Sequence, residues 1–328
     1  MDLERYTQLI IDAKAGKVFG EGDMEYIETI LSHIFLVGDS VYKIYKRENE
    51  AINKEFVNLA DDATRSEFFH DDFTWNHHFN PIVYLKLASI QLDAQGTYTL
   101  SDTTNLDDVS ELCIVMKRVD ASDTLVHRLL AGRVDALDLE EFGYQVAKMT
   151  QEYPVKYELP PDTAVHMEQR MQDLDHWMDM STDPSHREMN TQIMAYMRDY
   201  LSTHSDHDTS EYAVTPDNHT GNAVYLDGKY YLIDSYPPKK NWIVSDRLLN
   251  PSRIAADALA LGSEELSEAV FRGYQKYYGV ETIDAEKKRF YLVYSASIIA
   301  VYYEVISSTD PSKAEVSDRF YTWLKSVI

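Results

Sequence analysis

One segment constrains this chain more than any other: Thr215-Pro216-Asp217-Asn218-His219-Thr220-Gly221-Asn222, followed twelve residues later by Asp234 at the end of Leu232-Ile233-Asp234. Tyr212-Ala213-Val214 reads as a short strand entering the loop. Ala223 to Leu226, then Asp227-Gly228, then Lys229 to Ile233 read as strand, tight turn and strand, because Asp-Gly supplies the positive φ angles of a two-residue hairpin turn. The hairpin fixes the separation of Asn222 from Asp234. An Asp and an Asn five positions apart thus share a loop with a second, returning Asp. Such a set suits phosphoryl transfer, with Asp217 accepting or orienting the proton of an attacking hydroxyl. Asn222 and Asp234 are then the hard oxygen ligands that Mg²⁺ on a nucleotide phosphate prefers. Asp and Asn also recur in loops because they bond local backbone, so the weight rests on the spacing together with the hairpin.

At these residues the chain resembles the aminoglycoside phosphotransferase-like kinases, whose loop reads His-Gly-Asp-Leu-His-x-x-Asn and whose metal-binding Asp follows a hairpin. The positional match covers Asp217, His219, Gly221, Asn222 and Asp234. Further upstream, Ile27-Glu28-Thr29 and Phe35-Leu36-Val37-Gly38-Asp39-Ser40-Val41-Tyr42-Lys43 are similar to the opening of the kinase half of bacterial fused phosphotransferase and ATP-binding proteins. The resemblance runs from about residue 26 to about 262, and no Gly-rich Walker loop follows within the sequence.

The resemblance implies an α+β, two-lobed protein-kinase-like fold. Residues 1–118 are expected to form a small β-rich nucleotide-binding lobe, and 119–328 a helical lobe with the catalytic loop and metal site. The nucleotide is expected between them. It also implies a Mg²⁺-dependent phosphotransferase that moves the γ-phosphoryl of ATP or GTP to a hydroxyl of a small molecule. Lys43 is the implied phosphate-binding Lys, Asp72 its carboxylate partner, and Met116 to Arg118 the connecting segment beside the adenine. Asp257 matches a helix Asp that supports the catalytic loop. Strand alternation puts Val41, Lys43 and Tyr45 on one face and Tyr42, Ile44 and Lys46 on the other, so pattern alone leaves both lysines open. Glu55 and Glu67 rival Asp72 on the same expected helix.

Four departures stand out. Thr215-Pro216 replaces His-Gly, and Asp72 is one methylene shorter than the family's Glu. Ser235-Tyr236-Pro237 lacks an acidic residue, and Ser32-His33 occupies the place of a Gly-rich phosphate loop. Thr215-Pro216 and the shortened Asp72 favour an alternative, a nucleotide-binding pseudokinase that acts by interaction. Protein-kinase activity fits less well, since no Ala-Pro-Glu element follows Asp234.

At 328 residues, two compact bodies are expected, and 44% hydrophobic residues with 24 Tyr supply ample core. The net charge of −24 argues against a nucleic-acid partner, whose binding rests on Lys and Arg neutralising phosphates. Cys113, alone of its kind, sits in the apolar run Leu112 to Met116 and reads as a buried thiol, with no disulfide framework. The start Met1-Asp2-Leu3-Glu4-Arg5 lacks a signal-peptide pattern. The longest apolar tract, Phe290 to Val305, falls short of the roughly 20 residues that span a bilayer and reads as a buried helix. A cytoplasmic protein without membrane contact is expected.

Along the chain, an amphipathic opening (Leu3 to Ala13) precedes Ile27 to Leu36 and Val41 to Tyr45, read as a hairpin around Gly38-Asp39. One long helix is expected from Glu50 to Phe79, then strands near 82–92, 97–100 and 112–118, with Asp107-Asp108 among the turns. Leu125, Leu129 and Leu130 mark one helix face, and Leu137, Phe142, Val146 and Met149 the next. After a connection at Pro154, Pro160 and Pro161, helices are expected near 164–179 and 187–203, and beyond Asp234 near 252–262, 264–278, 285–307 and 311–327. His70, His77 and His78, and His204-Ser205-Asp206-His207, lack the spacing of a structural metal site.

Overall fold

The computed structural model describes residues 1–328 apart from 21–22, 105–109, 121–122, 159–162, 205–210, 238 and 309, and apart from the side chains of 55 and 163–165. Asp107-Asp108, Pro160, Pro161 and Ser205-Asp206-His207 therefore lie outside the described residues. The chain divides into two compact units, Met1–Asp120 and Ala121–Ile328.

The N-terminal unit is built on a six-stranded antiparallel sheet in the order β1-β2-β3-β6-β4-β5. Its strands are β1 (Met24–Glu28), β2 (Ser32–Val37), β3 (Ser40–Tyr45), β4 (Tyr84–Leu92), β5 (Tyr98–Ser101) and β6 (Ser110–Lys117). Helix α1 (Leu3–Lys14), capped by Asp2, lays Tyr6, Leu9, Ile10 and Ala13 on one sheet face, against Phe35, Ile44, Ala88, Ile90, Cys113 and Val115. Cys113 is buried and unpaired by disulfide, and burial pushes its thiol up. On the other face, Tyr45 meets Phe68 and Phe69 of α3 (Asp62–Phe79), edge to face at 4.9 Å.

Two expectations need correction here. The long helix from Glu50 is two helices, α2 (Glu50–Glu55) and α3, because the Asn53 side chain turns the chain back. It donates to Arg47 O at 2.8 Å and accepts from Leu59 N at 2.9 Å, and Asp61 then caps α3. Ile27 to Leu36 is likewise two strands around residues 29–31, where Thr29 N donates to Ser32 O and the Thr29 hydroxyl accepts from Ser32 N, both at 2.9 Å. Ser32 and His33 therefore belong to β2 and not to a loop.

Beneath this sheet lies a buried ionic cluster. Glu111 of β6 accepts from Arg65 Nε at 2.9 Å and Arg47 Nε at 3.0 Å, and Arg65 also donates to Tyr45 O at 2.6 Å. Arg65 and Glu111 are wholly buried, so every polar atom must be matched within the protein, and the matching ties α3 to β3 and β6.

The C-terminal unit is mostly helical: α4 (Leu125–Leu130), α5 (Ala136–Gln151), α6 (Thr163–Met178), α7 (Pro184–Thr203), α8 (Leu249–Leu261), α9 (Glu264–Tyr278), α10 (Ala285–Ser307) and α11 (Ala314–Val327). Two small antiparallel pairs interrupt them. They are β7 (Tyr212–Val214) with β10 (Val244–Asp246), and β8 (Ala223–Leu226) with β9 (Lys229–Leu232). Leu130 and Leu137, expected on buried faces, are exposed. Leu137 sits in the first turn of α5, and Leu139 takes the inward position. Helix α10 is 23 residues long and apolar enough to cross a membrane by length and composition, but Phe290, Val293, Ser297, Ala300 and Val301 are buried and the helix packs on α8 and α11.

Helices α5 and α9 approach through glycines. A Cβ on Gly143 would stand 2.3 Å from Val270 O, and one on Gly273 would stand 2.0 Å from Glu140 O. No side chain fits there without moving backbone. Gly273→Ala is therefore expected to destabilise the C-terminal unit by about 1–3 kcal/mol through overpacking, read as a lower urea midpoint. An unchanged midpoint would show that the two helices separate freely.

Candidate active site

Strand β7, paired with β10 from Val214↔Val244 to Tyr212↔Asp246, delivers the chain to Thr215. The loop runs to a 3₁₀ turn at Thr220–Asn222 and straight into the β8–β9 hairpin, whose turn has φ 49° at Asp227 and 84° at Gly228. The expected strand, turn and strand are all present. Ile233 N donates to Asn222 O at 2.8 Å, one step beyond the Ala223↔Leu232 pair, and so brings Asp234 back beside Asn222.

The Asn222 amide joins the three expected residues. Its Nδ2 donates to Asp217 O at 2.9 Å and to Asp234 O at 3.1 Å, while Asp217 N donates to Ser235 O at 2.8 Å. With Nδ2 engaged on two carbonyls, Oδ1 is the Asn222 atom presented as an oxygen ligand. Asp234, exposed and at φ 48°, adds a carboxylate. This donor set fits Mg²⁺, which is held by one or two protein oxygens together with substrate phosphates. Among the described residues no group of three or more His, Cys, Asp or Glu is placed to hold a metal by itself. The joint between the two segments is made by Asn222 and a backbone bond, with Thr215 standing where the family has a His.

Helix α8 holds the loop from behind with Asn250, Arg253 and Asp257, which share one helical face. Asn250 Nδ2 donates to Val214 O at 2.9 Å, and Asn250 O accepts from Asn218 Nδ2 at 2.7 Å. Arg253 Nη2 donates to Asp217 Oδ1. Asp257 Oδ2 accepts from Thr220 N at 2.8 Å and from the Thr220 hydroxyl at 2.6 Å. Burial pushes the Asp257 carboxyl above the usual range, against those two bonds. Asp257 thus supports the loop as the resemblance implies. Arg253 and Thr220 were not found from sequence; the available signal was a charge one turn before Asp257 on an otherwise apolar helix. His219 Nδ1 accepts from Gly221 N at 3.1 Å, and a Cβ on Gly221 would stand 2.7 Å from the His219 ring, so a side chain there would displace that ring. Tyr302 of α10 lies 6.0 Å from His219, ring to ring. Burial, and then the charges of Asp217 and Asp234, raise its phenol.

In the N-terminal unit, Lys43 is 4% exposed, with Nζ 3.9 Å from Asp72 Oδ2 and 4.8 Å from the Tyr45 ring centre. Lys46, the rival, pairs with Glu28 at 2.8 Å, and Glu67 is exposed. The geometry separates what alternation left open: Lys43 and Asp72 meet. Asp72 is steadied by Asn76 Nδ2 on its Oδ1 at 3.0 Å. Met116 lies inside β6, paired with Val41 and Tyr84, so the connecting segment begins only after Lys117. Arg118 N donates to Asp39 O at 2.8 Å, and its guanidinium turns to Glu25 on β1 at 2.7 Å.

The turn at residues 29–31 stands where a Gly-rich phosphate loop would be, and it is tied down. Asn49 Nδ2 donates to Ile30 O at 2.9 Å, Lys46 N to Leu31 O at 2.8 Å, and His33 bridges Tyr26 and Glu48 at 2.7 and 3.1 Å.

No protein-family model matches the chain, and no curated protein matches it. Solved structures do. A choline kinase from Cryptosporidium parvum Iowa II aligns over 98% of this chain and 95% of its own, with TM-score 0.57 and 9% identity. A thermostable mutant of aminoglycoside phosphotransferase APH(4)-Ia, in its apo form, aligns over 97% and 98%, with TM-score 0.53 and 13% identity. A glucosamine kinase in complex with glucosamine, ADP and inorganic phosphate aligns over 94% and 76%, with TM-score 0.52 and 11% identity. At such identities the likeness is one of fold. It is the protein-kinase-like fold of choline kinases and aminoglycoside phosphotransferases, with an N-terminal sheet unit and a helical C-terminal unit.

The pinned turn carries a pH signature. Burial raises the Glu48 carboxyl, but the His33 hydrogen bond and its own backbone N–H outweigh that and hold it at about 2, against an ordinary 4.5. A depressed carboxylate stabilises the fold above its unfolded value and loses that contribution on protonation. The N-terminal unit should therefore lose stability as pH falls from 4.5 towards 2, and Glu48→Gln should flatten that slope in urea titrations. An equal slope in the variant would rule Glu48 out as its source.

Proposed function

We propose that this chain is a small-molecule kinase that transfers the γ-phosphoryl of ATP or GTP, as its Mg²⁺ complex, to a hydroxyl group. The observation that carries this reading is the Asn222 amide, whose Nδ2 holds the backbone of Asp217 and Asp234 together. The fold shared with choline, glucosamine and aminoglycoside kinases supports it.

Each residue then has a distinct task. Asp217 accepts the hydrogen bond of the acceptor hydroxyl and aligns its oxygen with the γ-phosphorus. Asn222 and Asp234 would hold the Mg²⁺, which supplies charge neutralisation at the phosphates. Lys43, held by Asp72, offsets charge at the α- and β-phosphates. The new bond joins the acceptor oxygen to phosphorus as the bond to the β–γ bridging oxygen breaks. The nucleoside diphosphate leaves with that electron pair, and the hydroxyl proton ends on solvent. Positioning and electrostatics do the work, as the loose transition state of phosphoryl transfer requires.

A second reading, a nucleotide-binding pseudokinase, is favoured by the Arg253 contact that already occupies one oxygen of Asp217. Nucleotide binding and hydrolysis with and without Mg²⁺, followed by a panel of hydroxyl compounds, separates the two. Asp217→Ala should reduce transfer by roughly 10²–10⁴-fold with nucleotide affinity nearly unchanged, whereas Asp234→Ala should weaken both. A wild type that binds Mg²⁺-nucleotide but neither hydrolyses it nor modifies any acceptor, with Asp217→Ala indistinguishable from it, establishes the pseudokinase instead.

A further inference from the structure

Arg253 is the one cation that α8 presents to the candidate loop, and it touches the residue on which the proposed chemistry turns. Its side chain is 12% exposed and that of Asp217 is 35% exposed, so the guanidinium is largely shielded while the carboxylate keeps part of its surface open. Among the described residues, Arg253 Nε is buried with no hydrogen-bond partner. A guanidinium held in this way, one turn from the buried Asp257, is not a solvated surface charge. Resting on the kinase reading above, we propose that Arg253 is a positioning residue for Asp217, fixing its carboxylate so that Oδ2 alone meets the acceptor hydroxyl.

The physical grounds are geometric and electrostatic. A short carboxylate on a loop has two rotatable bonds, and the productive alignment for in-line attack tolerates little error, a misplacement of about 1 Å costing roughly 10²-fold. Backbone bonds fix the Asp217 main chain through Ser235 O and Asn222 Nδ2, but they leave its side chain free to turn. Arg253 takes Oδ1 and removes that freedom. Its charge also stands beside a carboxylate that must approach a triphosphate, and so reduces the repulsion between them. Asp217 therefore acts by holding and aligning the O–H.

The alternative is a purely structural Arg253, whose charge merely offsets Asp257, on which it acts electrostatically. A double-mutant cycle separates these roles. Using Mg²⁺-ATP hydrolysis by the full chain, or transfer once an acceptor is known, Arg253→Met should lower kcat by roughly 10–10²-fold and leave KM for nucleotide within about twofold. Arg253→Lys should keep part of the rate, and added guanidinium should restore part of it to Arg253→Ala. In an Asp217→Asn background, Arg253→Met should cost little more. A readout independent of turnover is the crystal structure of Arg253→Met, in which the Asp217 carboxylate should leave its present rotamer. Wild-type kcat in Arg253→Met, or equal losses in both backgrounds with Asp217 unmoved, overturns the proposal. A wild type that fails to bind Mg²⁺-nucleotide overturns the kinase reading itself, and is told apart because it is seen before any variant is made.

Discussion

The candidate site depends on one buried carboxylate. Asp257 is buried from bulk solvent, and its Oδ2 instead accepts from the amide and hydroxyl of Thr220. Leaving a buried acceptor unsatisfied costs about 1–3 kcal/mol, and more for a charged one, so the loop cannot drift from α8 without that loss. Once Thr220 is fixed, the 3₁₀ turn sets Asn222, Asn222 sets the carbonyls of Asp217 and Asp234, and the hairpin has a single register. A segment whose own residues favour many turn conformations is thereby reduced to one.

The N-terminal unit reaches the same end by other means. Lys43 and Asp72 belong to a strand and a helix, and their separation is determined by how α3 lies on the sheet. The Glu111, Arg65 and Arg47 cluster decides that, since sliding the helix would strand buried charges. An Asp in place of the longer Glu still comes within 3.9 Å of the lysine. The shortened side chain is accommodated by where the helix sits.

Sequence was most informative where local chemistry decides structure. Asp227-Gly228 predicted the hairpin because few other residue pairs take those angles, and the Asp217, Asn222 and Asp234 spacing became one cluster once that hairpin closed. Helix extents were read well in the second half, where apolar periodicity is strong. The break between α2 and α3 was missed because it rests on Asn53 bonding backbone six residues away in either direction, which leaves no mark on hydrophobic pattern. The pairings of Arg65 with Glu111 and of Arg253 with Asp217 span 46 and 36 residues, and a charge in a sequence does not announce its distant partner. Lys43 and Lys46 show the same limit at short range: alternation gave the two faces of β3, and only the packed helix distinguished them.

Asp234 is one of two non-glycine residues with positive φ among those described, at 48°. The left-handed region costs an L-residue on the order of 1 kcal/mol, less for Asp than for most, and nothing for glycine. A glycine at 234 would relax the backbone and delete the carboxylate in a single change. Relief of the backbone and a charged oxygen at the end of this hairpin are therefore mutually exclusive at one residue, and on the kinase reading it is the oxygen that the site needs.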